Sequence, residues 1–587
     1  MPGVRGQGRG GGRSPCLPRH RGRTAGAGTC RAGGAGGARA ADRRRQHRFT
    51  GARAGAGRRR CRCFHHRLGH LRRHLCARGR GPCGTRAGGS RRLPGYPGGG
   101  TVIVGIDVGT QSLKVVVCDD TLRVRGEAAQ PYALHVPAPG WAEQDPHLWE
   151  AALGPAIAAA LARAGVAPEA VCALGLAGQL DGCIGVDRSG RAVGPALIWM
   201  DRRAVAEIAD VPAEEVRRRA GVVLDAGHMA AKIRWWKRHG PPGAVRYHQP
   251  VSYLVRRLSG VNRLDHAVAS TTMLYGLEAR DYDPVLLDFF AIARDELPPL
   301  AEAAAAAGPL TAEGARLTGL RKGIPVAVGT GDDFSNALGA GVIAPGTLVC
   351  CLGTAEVVGA LHPRPLIDDA GLVETHAYVS GLHFIENPGW LSGGAVTWFL
   401  GAHALPDPAA MDACAARVPA GAGGVTFLPA LSGAMAPEWV AAARGCYYGL
   451  SAAHGVGHMA RAVLEGCAFA MRDVVERLRT MGVAVETVRL LGGGAASSLW
   501  AQIRADILGL PVEVPARSDT SPLGAALLAA VAAGRAPDVV TAAARLDTDA
   551  DMRTVMPQAH ARAACEAAYA RYRRLFDALR GMFVEDA

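Results

Sequence analysis

Gly105-Ile106-Asp107-Val108-Gly109-Thr110-Gln111-Ser112-Leu113-Lys114 lies between two β-branched segments, residues 102–106 and 115–117. Short runs of valine and isoleucine favour buried strands, and the Gly-Thr-Gln-Ser segment has the composition of a hairpin turn. The turn would present backbone N–H groups, hydroxyls and the Lys114 ammonium, with the Asp107 carboxylate at its base. Such donors bind phosphate oxygens, and a carboxylate beside them can hold Mg²⁺ through a water molecule. The stretch therefore predicts a hairpin that binds the phosphates of ATP.

A similar strand–turn–strand unit occurs later in the chain, at residues 348–358, with Gly353 and Thr354 at its turn. Around both units, short β-branched segments alternate with alanine-rich segments of helical length, which predicts an α/β protein. One phosphate-binding hairpin in each half predicts two similar domains that face a common cleft. We place the boundary near residue 345, which gives domains at 101–345 and 346–587.

The periodicity also predicts where the main elements lie. Strands are expected at 102–107, 113–118, 171–177, 183–187, 325–330, 347–352, 355–360 and 487–491. Helices are expected at 147–163, 201–208, 333–340, 456–482, 496–508, 522–533 and 558–582.

The basic character of the chain comes from its first hundred residues. Residues 1–100 contain 25 of the 67 basic residues and one of the 51 acidic residues, Asp42, which leaves residues 101–587 with a net charge of −8. This segment also holds 26 glycines and few large apolar side chains, too few to offset the entropy of ordering, so we expect it to be disordered. Its cysteines and histidines follow no usual zinc-ligand spacing.

Three interpretations of this Arg/Gly-rich segment remain open. It could bind nucleic acid through its arginines, or act as a transit peptide, although its glycines and prolines disfavour an amphipathic helix. We favour the third, upstream translation of a GC-rich reading frame, with the working start near residues 101–104. The remainder of the chain is rich in arginine and alanine and the whole sequence has only four lysines, as expected of a GC-rich source. A nucleic-acid partner is accordingly not expected.

Nine of the fifteen cysteines lie beyond residue 100, scattered through apolar segments such as residues 349–352. This is typical of buried reduced thiols and predicts a cytoplasmic protein without a disulfide framework. No apolar stretch approaches the roughly 20 residues of a membrane span, and no apolar signal-peptide region follows Met1. A membrane partner is therefore not expected.

Two further motifs lie where strands are followed by helices. Gly329-Thr330-Gly331-Asp332-Asp333 follows the apolar segment 324–328, and an aspartate there can reach the crevice of an α/β sheet and accept a proton from a substrate hydroxyl. The alternative is that Asp332 or Asp333 only caps the helix. The glycine-rich turn in residues 490–498 permits close approach of a phosphate or a flat ligand. Neither GxxxxGK[ST] nor a GxGxxG between strand and helix is present, which argues against P-loop ATPases and dinucleotide dehydrogenases.

Residues 101 to about 580 resemble the FGGY family of carbohydrate kinases, within the actin-like ATPase superfamily, and xylulokinases most closely. The most specific match fits a family signature at Gly445, Tyr447, Gly449, Leu450, His458, Met459, Ala462, Val463, Leu464 and Glu465. Further matches, in the family's order, are residues 141–146, 178–182, 197–203 and 232–235. The resemblance implies two actin-like (ribonuclease H-like) domains flanking a nucleotide/sugar cleft.

The resemblance also implies a role for individual residues, with ATP and Mg²⁺ as cofactors. Asp332 would be the catalytic base, and Asp107 would hold Mg²⁺ through water. The N-terminal domain would bind sugar and phosphate, and the C-terminal domain would bind the nucleotide. The sugar would contact Leu180, Asp181, Asp332 and Asp333. The phosphates would contact Thr110, Gln111, Ser112, Lys114, Gly353 and Thr354, and the nucleotide pocket would include Gly393, Gly494 and Ser498.

The chain departs from the xylulokinase pattern at the expected sugar site. Xylulokinases usually carry Met-His where this chain has Leu180-Asp181, and Asp-Asn where it has Asp332-Asp333. Residues 432–437 also differ from the usual SGERTP, and Met229 replaces a Pro, Ser or Thr. Asp181 is an acceptor-only carboxylate where a histidine could donate, which favours a substrate that offers hydroxyl donors.

With Asp333 also anionic, the pocket would repel acidic sugars. We therefore expect an uncharged ketose or polyol, such as D-xylulose converted to D-xylulose 5-phosphate. The alternative function is an actin-like nucleotide-binding regulator or pseudokinase without phosphoryl transfer. The oligomeric state is left open, with a homodimer compatible with the sequence.

Several of these motif residues also have purely structural interpretations. Residues 141–145 could form a packed loop without ligand contact, and Asp181 could serve only in a turn. Lys232, Trp235 and Glu465 are expected to be structural rather than to bind substrate.

Overall fold

The computed structural model describes residues 100–546 and 552–585. The predictions of disorder, nucleic-acid binding and zinc binding concern residues 1–99, which lie outside the described residues. The predicted working start near residues 101–104 is not tested by the structure. The strands are β1 (Val102–Val108), β2 (Ser112–Cys118), β3 (Val124–Pro131), β4 (Glu143–Gln144), β5 (Val171–Gly178), β6 (Ile184–Val186), β7 (Ala196–Leu197), β8 (Arg246–His248), β9 (Leu264–Asp265), β10 (Tyr275–Gly276), β11 (Asp281–Tyr282), β12 (Leu300–Ala301), β13 (Ala306–Pro309), β14 (Pro325–Ala327), β15 (Thr330–Gly331), β16 (Gly346–Leu352), β17 (Ala355–His362), β18 (Glu374–Ala377), β19 (His383–Leu391), β20 (Thr426–Leu428), β21 (Cys446–Tyr448), β22 (Val485–Leu491), β23 (Val512–Val514) and β24 (Arg553–Val555).

The α-helices are α1 (Pro146–Ala164), α2 (Ala213–Ala220), α3 (Met229–His239), α4 (Pro250–Ser259), α5 (His266–Ser270), α6 (Pro284–Phe290), α7 (Ala312–Thr318), α8 (Asp332–Gly339), α9 (Gly393–Ala402), α10 (Pro408–Ala415), α11 (Val456–Thr480), α12 (Ser498–Leu508), α13 (Ser521–Ala532), α14 (Val539–Ala543) and α15 (Arg562–Glu585). Within the described ranges, no helix is both long enough and apolar enough to cross a bilayer.

The first sheet has the strand order β13-β14-β5-β1-β2-β3, with β15 paired to β5. The opening hairpin pairs β1 with β2 in antiparallel register from Ile103 opposite Cys118 to Val108 opposite Leu113. Strand β5 runs parallel to β1 on its other side. Every residue of β1 is buried because α1 covers one face of the sheet and α13 the other. The hairpin thus stands at the centre of a fully covered sheet, as its β-branched composition indicates.

The second sheet repeats this arrangement, with the order β18-β19-β17-β16-β22-β23-β24. Its hairpin pairs β16 with β17 antiparallel, and β22 runs parallel to β16, as β5 does to β1. The core beneath it is formed with α11, α12 and α15. Two similar α/β sheets, each with one Gly-Thr hairpin, confirm the predicted fold class.

Helices α8 and α13 pack closely enough to touch through their backbones. A Cβ added to Gly524 of α13 would lie 2.1 Å from the carbonyl oxygen of Ser335, and one added to Gly339 of α8 would lie 2.0 Å from that of Thr520. Helix α13 also lies directly on the first sheet, since a Cβ on Gly105 or Gly175 would come within 1.9 Å of its backbone. A helix that follows all but the last strand of the second sheet in the chain therefore completes the first sheet, and the boundary near residue 345 stays a prediction.

Most predicted elements are present, with shifts at their ends. The predicted helix at 201–208 is wrong as an α-helix, because Arg203–Ile208 is a 3₁₀ segment with a kink at Ala204. The predicted strand at 325–330 stops at Ala327, because Gly329 takes a left-handed φ of 77° before Thr330 resumes pairing with β5. The helix predicted at 558–582 begins later, at Arg562. Helices α2–α7, α9, α10 and α14 were missed, since each has only 5 to 11 residues and too few turns to stand out from its surroundings.

Candidate active site

Three neighbouring parallel strands of the first sheet end at the same edge. In the β1–β5 pair Val108 lies opposite Gly178, and in the β15–β5 pair Gly331 also lies opposite Gly178. Asp107 therefore lies beside the turn that follows β5 and carries Leu180 and Asp181, and Asp332 follows β15 directly. A Cβ on Gly331 would lie 2.2 Å from Leu180 Cδ2, so Leu180 packs against the residue before Asp332. Ligands bind at the carboxyl ends of such strands.

The turn of the opening hairpin is closed by the Gly109 amide, which donates to the Ser112 carbonyl at 3.1 Å. The Thr110 carbonyl accepts from the Gln144 amide at 2.7 Å, and its hydroxyl accepts from the Trp199 indole at 2.9 Å. Gln111 is exposed and Ser112 is half-buried. The hairpin is thus held by residues of the 141–146 and 197–203 motifs, while its turn remains accessible to a ligand.

Charged groups surround Asp107 at the base of this hairpin. The Lys114 ammonium lies 3.8 Å from Asp107 Oδ2 and 2.7 Å from Asp519 Oδ2, and Asp519 directly precedes Thr520, the N-cap of α13. Burial raises the pKa of Asp107 to about 6, a shift that Lys114 opposes and Asp519 adds to. Burial lowers the pKa of Lys114, but the two aspartates outweigh burial and the pKa is raised. Lys114 therefore stays cationic beside the predicted phosphate site.

Asp332 and Asp333 occupy the first turn of α8 and are both half-buried. The N-cap is Gly331, so neither aspartate caps the helix. Burial, and then the charge of Asp107, raises the pKa of Asp332 to about 7. Burial and the neighbouring Asp332 raise the pKa of Asp333 well above its usual value. A carboxylate that exchanges its proton near neutral pH is suited to general-base catalysis.

The segment around Asp181 is held in an uncommon conformation. Asp181 has a φ of 55°, and its carbonyl accepts from the Lys232 ammonium at 2.7 Å. Lys232 is fully buried and also donates to the carbonyls of Ile198 and Gly227. Burial lowers the pKa of Lys232 to about 8. These three bonds give Lys232 the geometry of a structural residue that fixes the turn around Asp181.

The residues predicted at the nucleotide side meet around the second hairpin, at the β16–β17 turn. The Thr354 carbonyl accepts from the amides of Ser392 and Gly394, at 3.2 and 2.9 Å. A Cβ on Gly393 would lie 2.2 Å from the Gly353 carbonyl oxygen, and one on Gly494 would lie 2.4 Å from Leu352 Cδ2. Ser498 is exposed at the first residue of α12. Glycine at 393 and 494 thus allows two further loops to approach the β16–β17 hairpin closely.

The residues at Asp107 fit a magnesium ion that keeps most of its water. Among residues 100–546 and 552–585, no cluster of three or more His, Cys, Asp or Glu could enclose a metal. Asp107 is 3% exposed, and its Oδ1 has no hydrogen-bond partner in the described part of the chain. Mg²⁺ is usually held by one or two carboxylates, waters and substrate phosphates rather than by a protein cage.

Four residues of this region were missed from the sequence: Trp199, His228, Glu374 and Asp519. Trp199 lies inside the matched 197–203 motif, and Asp519 next to a predicted helix N-terminus, so a local signal existed for both. His228 and Glu374 had none, because their imidazole and carboxylate meet only in the folded chain, at 3.5 Å.

Comparison with known proteins gives consistent matches along the described chain. The model for the FGGY family of carbohydrate kinases, N-terminal domain, matches residues 102–339, and the C-terminal domain model of that family matches residues 348–533. A glycerol kinase of Citrifermentans bemidjiense is 34% identical over 74% of this chain and 90% of its own length. A xylulose kinase of Escherichia coli is 31% identical over 81% of this chain and 99% of its own. A crystal structure described as a xyloylose kinase from Brucella ovis superposes with a TM-score of 0.76 at 29% identity, over 82% of this chain and 100% of that one.

Proposed function

This chain belongs to the FGGY family of carbohydrate kinases, and we propose that it phosphorylates an uncharged ketose or polyol with Mg²⁺ and ATP, D-xylulose being the first candidate. The observation that carries the proposal is Asp332, a half-buried carboxylate at the joint edge of β1, β5 and β15 whose pKa is raised to about 7. The cytoplasmic location remains a prediction from the unpaired cysteines.

For phosphoryl transfer a protein mainly has to align the two substrates, neutralise the phosphate charge and provide one acceptor for the hydroxyl proton. In the proposed reaction Asp332 takes that proton as the hydroxyl oxygen attacks the terminal phosphorus of ATP; the bond from this phosphorus to the bridging oxygen breaks, and ADP leaves. Leu180, Asp181 and Asp333 hold the acceptor molecule so that this hydroxyl faces Asp332.

In this proposal the two hairpins bind ATP, the phosphoryl donor. Thr110, Gln111, Ser112 and Lys114 bind phosphates from the first sheet, and Gly353 and Thr354 bind them from the second, with Gly393, Gly494 and Ser498 along the nucleotide. A magnesium ion held by Asp107 through water would supply further neutralisation of the phosphate charge. Lys114 is fixed between Asp107 and Asp519 before any ligand arrives, so its reorganisation on binding is small.

The charges at the acceptor side favour a neutral substrate. The pKa of Asp181 is lowered and Asp332 must be ionised to act as a base, so an acidic sugar would face repulsion from both. The raised pKa of Asp333 makes that residue a weaker contributor than the sequence suggested. The relatives named above act, by their names, on glycerol and on xylulose, a polyol and a ketose, both uncharged. Another relative, 32% identical, is named for an acidic sugar as well as a ketose, so the proposal of a neutral substrate rests on the carboxylates and is left to experiment.

A panel of pentuloses, pentitols, hexuloses and glycerol, assayed by the coupled release of ADP, tests the proposal. We expect turnover with at least one member, and its loss in Asp332→Asn. Asp288→Asn, an exposed aspartate on α6, is the matched control and should retain the wild-type rate. ATP bound without consumption across the whole panel would instead support the nucleotide-binding regulator and overturn the kinase.

A further inference from the structure

A row of buried acids and histidines connects the acceptor side of the site with the second sheet. His228 Nδ1 lies 3.2 Å from Asp181 Oδ2, and its Nε2 lies 3.5 Å from Glu374 Oε1. His376 Nε2 lies 3.8 Å from Glu374 Oε2 and 3.3 Å from Glu386 Oε1. The two histidines and two glutamates are at most 6% exposed. We call these five residues the His228 array.

The array is built from two distant parts of the chain. Asp181 follows β5 and His228 is the residue before α3, whereas Glu374 and His376 lie on β18 and Glu386 on β19. Glu374 lies directly opposite Glu386 in the antiparallel pair, an arrangement that is unfavourable for two buried carboxylates alone. Imidazolium groups at 228 and 376 offset that repulsion.

The charges of the array are those of ion pairs. Burial would lower the pKa of His228, but Asp181 and Glu374 outweigh burial and hold the pKa well above its usual value. Burial would raise the pKa of Asp181, but His228 and then Lys232 outweigh it and the pKa is lowered. Asp181 is therefore a carboxylate and His228 an imidazolium.

One oxygen of the Asp181 carboxylate is left without a hydrogen-bond partner. His228 neighbours Oδ2, while Oδ1 is buried and has no hydrogen-bond partner within the described residues. A buried carboxylate oxygen without a partner destabilises the protein until a donor reaches it. A hydroxyl of the acceptor molecule supplies such a donor, and an anionic group does not.

We propose that His228 is a positioning residue for the acceptor molecule: it holds the Asp181 carboxylate between the two sheets, so that Oδ1 selects neutral substrates that offer a hydroxyl donor. This inference rests on the proposed kinase function. His228 acts through Asp181, and Glu374 keeps the imidazole charged and in place from the second sheet.

The test compares His228→Gln with His383→Gln, which removes another buried histidine, on β19 and outside the array. With the best acceptor from the panel, His228→Gln should raise the KM for the acceptor by about 10- to 100-fold, the range for a lost hydrogen bond to a charged group. The KM for ATP should change by less than a factor of about 3, within ordinary context dependence. His383→Gln should leave both constants near wild type.

A double-mutant cycle with Asp181→Asn separates positioning from general stability. If His228 acts through Asp181, the two substitutions together should raise the acceptor KM little more than Asp181→Asn alone. Independent, multiplying effects, or equal changes in the KM of acceptor and ATP, would overturn the inference while leaving the kinase intact. If His228→Gln does not fold, Glu374→Gln tests the same positioning role, because Glu374 contacts the other ring nitrogen of His228. An unchanged KM for the acceptor in Glu374→Gln would then overturn the inference. A wild-type protein without turnover on any acceptor overturns the proposed function and this inference together.

Discussion

Replacing Gly524 by alanine should disturb catalysis more than stability. The added Cβ would lie 2.1 Å from the Ser335 carbonyl oxygen, whereas ordinary contacts of Cβ atoms lie at 3.4 Å or beyond. The obstacle is backbone on both sides, so no side-chain rotation can relieve it. Helices α13 and α8 must therefore move apart by about 1 Å.

The expected loss of rate follows from the position of Asp332 on α8. Its first residue is Asp332, so a displacement of the helix shifts the proposed base relative to the acceptor hydroxyl. A misplacement of about 1 Å can cost on the order of 100-fold in rate, because the reacting atoms leave their attack geometry. Overpacking costs about 1–3 kcal/mol of unfolding free energy. The better helix propensity of alanine offsets about 1 kcal/mol of that loss.

The assay measures kcat by ADP release and the unfolding midpoint by thermal melting, in Gly524→Ala and in Gly401→Ala. Gly401 lies in α9, and a Cβ there would meet nothing within 4 Å, so this control should keep its rate and gain slightly in stability. If Gly524→Ala turns over as fast as the control, the close crossing of α8 and α13 does not position the base, and the reasoning is refuted.

Three other outcomes follow from the described contacts. Lys114→Met should weaken ATP binding by about 10- to 100-fold in calorimetric titration, because a charge-assisted contact to phosphate is lost, while the exposed Lys322→Met should bind as wild type does. The rate should fall as the pH is lowered through about 7, because Asp332 must be ionised to accept a proton and its pKa is raised to about 7; a rate that is flat through that region would speak against Asp332 as the base. Arg504→Met should lose about 3–5 kcal/mol in urea unfolding, because Glu356, fully buried at 2.6 Å from Arg504, is left unpaired. The double variant with Glu356→Gln should recover most of the loss, and equal stability of the single and double variants would contradict this account.

The parts of the fold that were predictable are those encoded locally. Residues 102–118 form a hairpin because β-branched runs flank a Gly-Thr turn, and all of that information lies within one short segment. The position of Asp332 at the edge of the first sheet was also predictable, since in the sequence it follows an apolar strand and precedes a predicted helix. What the sequence did not contain is the pairing of Thr330 and Gly331 with β5, which brings Asp332 beside the turn of Leu180 and Asp181.

The failures involve tertiary partners that override local preference. Residues 201–208 have helical composition, yet the Asp201 carboxylate accepts from the amides of Arg203 and Ala142, at 3.1 and 2.7 Å, and bends the chain into a 3₁₀ segment. His228 and Glu374 meet only because α3 and β18 become neighbours. Gly524 gave no sign of its contact with Ser335, because a glycine inside a helix is informative only when the facing backbone is known.

The position of α13 on the first sheet has a consequence for biosynthesis. A ribosome makes the chain from its N-terminus, so residues 521–532 emerge after nearly all strands of both sheets. Until then the sheet face that carries Gly105 and Gly175 lacks the helix that covers it, and its apolar residues are exposed. Nascent multidomain chains generally fold their N-terminal domain first. Here the first sheet cannot finish folding until residues 521–532 have been made, by which time most of the second sheet has been made as well.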